Sequence, residues 1–141
     1  MNLVLDASLA LAWYFADERS AAGDAVLDRV TEEGAVVPAL WRYEVANGLQ
    51  MAVRRKRIDA AYRDASLAEL RLLPITVDRV GDDVAWTAMI GFADRFRLTI
   101  YDAAYLELAQ RRSLPLGTGD SALRSAARAL RVELIRAERR Y

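Results

Sequence analysis

Short apolar runs alternate with helical segments along the whole chain, and this alternation limits the possible folds more than any other feature. The runs predicted as strands are Leu3–Leu5, Ala35–Pro38, Ile75–Val77, Leu114–Thr118 and Val132–Ile135. Apolar residues spaced three and four apart predict helices after Asp6 and at about 24–31, 41–55, 59–72, 82 or 83 to 96, 102–112 and 120–130. Strands that are apolar throughout and separated by helices belong to parallel sheets covered by helices on both faces. The sequence therefore predicts an α/β fold.

The chain has the length of one domain and shows no sign of a second. Its 141 residues are typical of a single domain, and no linker rich in Pro, Gly or Ser interrupts them. The N-terminus lacks the basic residues and the apolar stretch of a secretory signal. No run approaches the ~18 apolar residues of a membrane span. We therefore expect one domain, residues 1–141, in a cytoplasmic protein that does not enter a membrane.

Two acidic residues closely follow predicted strands. Asp6 comes directly after Leu3–Leu5, and Asp120 comes shortly after Leu114–Leu116. In open parallel sheets, ligands bind beyond the carboxyl ends of the strands, where the strand order reverses. Asp6 and Asp120 are therefore candidate functional residues at one edge of the sheet.

Four acids lie on the apolar faces of their predicted helices: Asp6, Glu44, Asp102 and Asp120. Each has apolar residues three, four or seven positions away, and a buried carboxylate is unfavourable unless it is partnered. Three of them also stand at predicted helix starts, where Asp is a common N-cap, while Glu44 could pair with an arginine. These interpretations explain one acid at a time. Four acids brought to one edge would repel one another, and a divalent cation would offset that repulsion.

The composition restricts what such a site could hold. The chain has no Cys and no His, which excludes thiolate and imidazole metal sites and the catalytic triads that need these side chains. Only oxygen ligands remain, and these favour Mg²⁺ or Mn²⁺. A bound cation makes water a better nucleophile and stabilises charge on a phosphate. The formal net charge is zero, with 20 basic and 20 acidic residues, so no broad positive field indicates a nonspecific nucleic-acid binder.

Two hydroxyl residues lie close to the acids in sequence. Ser8 follows Asp6, and Thr118 precedes Asp120. Each could orient a carboxylate or a metal-bound water. Each could instead bond only to the local backbone, in the first helical turn or in the loop. The sequence leaves both interpretations open.

Four segments that contain the acids resemble the PIN-domain family. They are LVLDASLALAWYFADE, WRYEVANGL, YDAAYLELAQRR and LGTGDSAL. They occur in the order and spacing of the family, and the resemblance extends from Leu3 to about Ile135. Within the family, the chain resembles the VapC toxins of bacterial toxin–antitoxin pairs.

The resemblance implies a three-layer α/β/α sandwich around a central parallel sheet of four or five strands. It places the family's acids on Asp6, Glu44, Asp102 and Asp120, with Thr118 as the accompanying hydroxyl. It also implies RNA cleavage with Mg²⁺ or Mn²⁺, a homodimer, and inhibition by a cognate antitoxin. On this interpretation Asp6, Asp102 and Asp120 ligate metal directly or through water, while Glu44 either ligates metal or acts as a base.

Several other groups of residues have two interpretations each. Arg95 and Arg97 precede the Asp102 helix and are candidates for contact with RNA. The basic run 54–57 is either a contact for the RNA backbone or a solvated helix end, and the aromatic run 13–15 is either core or a partner surface. The last group is either helix core or a dimer face: Trp86, Met89, Ile90 and Phe96.

A nuclease toxin is one of several functions compatible with these residues. A housekeeping PIN nuclease, which matures or degrades RNA without an antitoxin, would carry the same acids. A phosphoryl-accepting regulator would need a lysine beside the acids, and Lys56, the only lysine, lies in the basic run. A catalytically inactive interaction module is disfavoured because all four acids are present.

Overall fold

A computed structural model of the chain describes residues 2–80 and 83–135. The strands are β1 (Leu3–Leu5), β2 (Ala35–Pro38), β3 (Ile75–Asp78) and β4 (Leu116–Gly117). The helices are α1 (Ala7–Ala12), α2 (Ala21–Glu33), α3 (Trp41–Arg54), α4 (Ala60–Leu72), α5 (Ile90–Phe96), α6 (Ile100–Arg112) and α7 (Ser121–Ala129), with a π-helical turn at Ala85–Met89 before α5. Helices separate each strand from the next, and the predicted three-layer α/β/α sandwich is confirmed.

The strands are parallel and lie in the order β3–β2–β1–β4. The chain builds outwards from β1 to β3 and then returns past β1 to add β4 on the other side. This reversal places the carboxyl ends of β1 and β4 at a switch point, where ligands bind in such sheets. Leu5 pairs with Gly117, so Asp6 and Thr118, the residues that follow, start side by side.

Side-chain caps begin several helices. Each capping oxygen accepts a hydrogen bond from a backbone N–H of the first turn, and the capping residues are Asp6, Ser20, Asp59, Thr99 and Asp120. Because Ser20 provides this cap, α2 begins at Ala21 rather than at the predicted Asp24. The cap considered at Asp102 is wrong as well. Thr99 caps α6, and Asp102 lies in the first turn, where the helix dipole favours a negative charge.

Gly34 joins α2 to β2 within a single residue. Its φ angle is 82°, in the left-handed region that favours glycine. A Cβ atom at this position would lie 2.8 Å from the carbonyl oxygen of Pro74. Glycine therefore permits both the sharp exit from α2 and the close packing of the segment that leads into β3.

β1 and α6 occupy the centre of the protein. All of β1 is buried, and so are seven consecutive residues of α6 from Ala103 to Ala109. One of these is Glu107, whose Oε1 lies 2.7 Å from Nε of Arg111. Arg111 also pairs with the buried Asp78 at the end of β3, and Arg112 pairs with the same carboxylate at 2.7 Å. These ion pairs attach α6 to the edge strand of the sheet.

Two further predicted elements differ from the structure. The segment Val132–Ile135 forms no strand, because only Leu134 makes an isolated parallel bridge, to Leu116. The helix predicted to end near Phe96 contains the π-helical turn, in which Trp86 is 79% exposed and is therefore not core. Met89 is buried, as is the aromatic run 13–15, which confirms the core interpretation for those residues.

Some predictions lie outside the part of the chain that the structure describes. The alternative helix start at residue 82 falls there, and so does the segment 136–141 of the predicted domain. Within the described residues, none of the helices has both the length and the apolar character needed to cross a membrane.

Candidate active site

Asp6 is the most deeply buried of the four predicted acids. It follows β1, caps α1 and is 4% exposed. Its Oδ2 accepts hydrogen bonds from the hydroxyls of Ser8 at 2.8 Å and Thr118 at 2.6 Å. The backbone N–H of Ser8 makes a longer contact with Oδ1, at 3.4 Å. The predicted role of both hydroxyls in orienting a carboxylate is consistent with these contacts, which hold Asp6 in one position at the edge of the sheet.

Thr118 connects Asp6 to Asp120. It follows β4 and is completely buried. While its hydroxyl donates to Asp6, the same oxygen accepts a hydrogen bond from the backbone N–H of Asp120 at 3.1 Å. The Asp120 carboxylate in turn accepts from the N–H of Leu123 at 2.9 Å and caps α7. The loop after β4 is therefore fixed against the end of β1, with Asp120 beside Asp6.

Glu44 reaches the site from α3 and is held by a tyrosine. The hydroxyl of Tyr105 donates to its Oε1 at 2.7 Å. Among the described residues no arginine pairs with Glu44, so the alternative of an ion pair with an arginine is wrong. Burial raises the pKa of Glu44, the hydrogen bond from Tyr105 lowers it, and the charges of Asp6 and Asp102 raise it further. The result is a raised pKa, as expected for a carboxylate that is partly buried among other carboxylates.

Asp102 lies in the first turn of α6. Its backbone N–H donates to the capping hydroxyl of Thr99 at 3.1 Å. Burial raises the pKa of its carboxyl, and the charges of Asp6 and Asp120 raise it further. Burial and the neighbouring acids thus raise the carboxyl pKa of both Asp102 and Glu44.

The four acids therefore form one electrostatic cluster drawn from four parts of the chain. The charges of Asp6 and Asp102 raise the pKa of Glu44, and those of Asp6 and Asp120 raise the pKa of Asp102. Within residues 2–80 and 83–135, no three acidic side chains are grouped closely enough to surround a metal ion. Metal binding would thus require the carboxylates to turn towards one another, a movement that their repulsion opposes in the absence of a cation.

The arginines predicted to contact RNA are exposed. The guanidinium carbon of Arg95 lies 4.7 Å from the ring centroid of Phe96. Arg97 ends α5 in the left-handed conformation, two residues before the cap of α6. Their position next to the first turn of α6 is as predicted, and their contact with RNA stays a prediction.

Sequence reasoning missed the supporting roles of Tyr105 and Thr99. Tyr105 is completely buried and lies one turn after Asp102. A buried tyrosine hydroxyl usually finds a hydrogen-bond partner, which was the available signal, but the sequence does not show that the partner is Glu44. Thr99 lies three residues before Asp102, the spacing of a side-chain cap to the backbone N–H that it accepts from.

Comparisons with known proteins agree with this geometry. The PIN domain family matches residues 3–129, a range that contains all four acids. Ribonuclease VapC3 of Mycobacterium tuberculosis is 36% identical to this chain over 104 residues, which are 72% of this chain and 72% of that protein. The chain therefore belongs to the PIN-domain family and, within that family, to the VapC ribonucleases.

Two solved structures are similar in fold. PAE2754 from Pyrobaculum aerophilum has a TM-score of 0.68 and 25% identity, over 89% of this chain and 87% of that one. FitAcB from Neisseria gonorrhoeae has a TM-score of 0.66 and 17% identity, over 96% of this chain and 97% of that one. Both matches extend over most of this chain.

Proposed function

We propose that this chain is an endoribonuclease that hydrolyses RNA phosphodiester bonds with Mg²⁺ or Mn²⁺, and that it is the toxin of a toxin–antitoxin pair. The observation that carries the proposal is the acidic cluster at the switch point, in which burial and neighbouring charges raise the pKa of Glu44 and Asp102. The similarity to a ribonuclease supports RNA as the substrate. We expect the protein to act in the cytoplasm, where RNA is available.

The donor atoms suit a hard divalent cation. Each of the four side chains offers carboxylate oxygens, the ligands that Mg²⁺ and Mn²⁺ prefer. Asp6, Asp102 and Asp120 would hold the ion directly or through water, and Glu44 would be a further ligand or a base. Once bound, the cation supplies a Lewis acid for the phosphate and lowers the pKa of water.

Hydrogen bonds leave one oxygen available on each of the two best-held acids. Asp6 accepts both hydroxyls at Oδ2, so Oδ1, with only its 3.4 Å contact, is the atom free to ligate. Tyr105 occupies Oε1 of Glu44, which leaves Oε2 for the metal or for a water. The raised pKa of Glu44 suits a group that accepts a proton from an attacking water.

Arg95 and Arg97 are proposed to bind the RNA backbone next to the site. Both side chains are exposed, and they precede the helix that carries Asp102. Arginine can contact a phosphate through two hydrogen bonds at once. These contacts would place the strand across the first turn of α6, beside the acids.

Exposed aromatic residues support two protein partners. Tyr43 and Tyr101 are 79% and 62% exposed, and each is the sequence neighbour of a site acid. A cognate antitoxin that covers the site would bury them, and aromatic side chains are favoured at interfaces. Trp86, in the π-helical turn, is 79% exposed, and Ile90, the residue that follows this turn, is 42% exposed. We propose the homodimer contact there.

The decisive experiment measures cleavage of a mixed RNA pool by purified protein in EDTA, Mg²⁺ or Mn²⁺. Asp102→Asn is the test variant, and Asp94→Asn, at an exposed position of α5, is the matched control. We expect metal-dependent cutting that is lost in Asp102→Asn, by roughly 100-fold or more, and kept in Asp94→Asn. Cutting that survives Asp102→Asn would show that the site is wrong.

A second experiment separates the toxin from a housekeeping nuclease. Expression of a toxin arrests growth, and co-expression of the protein encoded next to it relieves the arrest. Growth that is unaffected by expression of a protein that cuts RNA in vitro would favour the housekeeping function.

A further inference from the structure

A groove between α1 and α3 opens next to the acidic site. Its volume is about 260 Å³, and Ser8, the residue that donates to Asp6, is part of its lining. Gly48 of α3 also lines it, and a Cβ atom there would collide with the side chain of Leu11 on α1. Glycine thus lets the two helices approach closely. Ser8 belongs both to the lining of the groove and to the hydrogen bonds of Asp6.

The groove has an apolar floor. Leu11, Phe15 and Met51 line it. Its volume lies just under the roughly 300 Å³ at which small-molecule pockets begin. A group with one ring system is therefore of a size to fill it.

One wall of the groove is a guanidinium held in place. The guanidinium carbon of Arg57 lies 4.2 Å from the ring centroid of Phe15. The same group pairs with Asp17 at 2.9 Å and with Glu18 at 3.1 Å. A guanidinium that is fixed in this way offers a stacking surface for a nucleobase. Arg55 also lines the groove, and within residues 2–80 and 83–135 its side chain has no ion-pair partner.

We propose that this groove binds one base of the RNA substrate, a base adjacent to the scissile phosphate, and that Arg55 binds the neighbouring phosphate. The proposal rests on the proposed nuclease function. A strand whose phosphate lies at the acids must continue onto the surfaces that adjoin them, and the groove adjoins them at Ser8. Its apolar floor and guanidinium wall suit the faces of a base, and the positive charge of Arg55 suits the backbone charge. The groove would then select the nucleotide at the cut.

The test uses an RNA oligonucleotide that the parent protein cuts, and versions with an abasic nucleotide on either side of the cut. In the parent, we expect one abasic position to lower kcat/KM roughly tenfold, the effect of losing one stacked base. Met51→Trp fills the groove and should cut intact and abasic RNA at the same reduced rate. Leu72→Trp introduces the same side chain at an exposed position outside the groove and should behave like the parent.

Each other outcome overturns the proposal. A parent protein that cuts abasic and intact RNA with the same kcat/KM does so. A Met51→Trp variant in which the abasic position lowers kcat/KM as much as in the parent does so as well. If that variant keeps this reduction and escapes inhibition by a co-expressed antitoxin, the groove docks a protein instead. If a thermal melt shows Met51→Trp to be unfolded, Arg57→Ala replaces it in the test. If the abasic position lowers kcat/KM as much in Arg57→Ala as in the parent, the proposal is overturned. A parent that shows no metal-dependent cutting overturns the proposed function itself, which distinguishes the two failures.

Discussion

Replacing Thr118 by valine would remove one hydroxyl from the most buried part of the site. That hydroxyl donates to Asp6 at 2.6 Å and accepts from the N–H of Asp120 at 3.1 Å. Valine has nearly the same shape, so no cavity forms. Both hydrogen bonds are lost, and because Thr118 is completely buried, water cannot take the place of its hydroxyl.

The expected loss follows from the two bonds. A hydrogen bond to a charged group contributes about 1.5–3 kcal/mol, and a neutral one contributes about 0.5–1.5 kcal/mol. We therefore expect Thr118→Val to lower the free energy of unfolding by about 2–4.5 kcal/mol. Ser8→Ala removes a 2.8 Å bond to the same oxygen, but Ser8 is exposed, so water substitutes and the expected loss is about 0.5–1 kcal/mol.

Urea denaturation of the metal-free protein at neutral pH measures both losses. Thr118→Ser is the control, because it keeps the hydroxyl and should retain most of the stability that Thr118→Val loses. Equal losses in Thr118→Val and Ser8→Ala would refute the reasoning that burial decides what each bond contributes. A loss below about 1 kcal/mol for Thr118→Val would show that the bond between the two strand ends is not a stabilising one.

Three further predictions concern charge and backbone conformation. Because the pKa of Asp102 is raised by burial and by Asp6 and Asp120, its ionisation destabilises the metal-free protein above that raised pKa. Mg²⁺ or Mn²⁺ should therefore raise the Tm of the parent. Asp102→Asn should have a higher Tm without metal than the parent, and metal should raise its Tm by less. A parent whose Tm does not change with metal would contradict this. Burial alone would raise the pKa of Asp78, but Arg111 and Arg112 hold it below the ordinary value of 3.8. Its stabilisation is then present above pH 3.8 and lost as the pH falls through the lower folded value, so Asp78→Asn should cost about 2 kcal/mol at neutral pH and little in strong acid. Ser113 ends α6 with a φ angle of 53°, a left-handed conformation that glycine adopts without steric cost. Ser113→Gly should therefore raise the free energy of unfolding by about 0.5–1 kcal/mol, and a lower Tm in a thermal melt would contradict that reason.

Much of the site follows from local patterns in the sequence. Asp6 and Asp120 could be placed because a buried strand precedes each of them and each also caps a helix. These signals extend over only a few residues and do not depend on how the helices pack. The alternation of strands and helices predicted the parallel sheet for the same reason.

The remaining features depend on contacts between distant parts of the chain. Tyr105 holds Glu44 across 61 positions, and nothing local in either segment identifies its partner. Periodicity could not decide between the core and the surface interpretation of Trp86, because it assumes a regular α-helix, whereas a π-helical turn is wider and shifts the face that follows. Val132–Ile135 has the composition of a strand, but it forms only the single bridge of Leu134.

The hydrogen bond between Thr118 and Asp6 joins residues 112 positions apart, and this separation has a consequence for the order of synthesis. A growing chain that has passed α6 already carries Asp6, Glu44 and Asp102. It still lacks β4, the hydroxyl that holds Asp6, and the fourth acid. The nascent protein therefore completes its acidic cluster only after β4 and Asp120 have been synthesised, so a partly made chain does not yet carry the finished site.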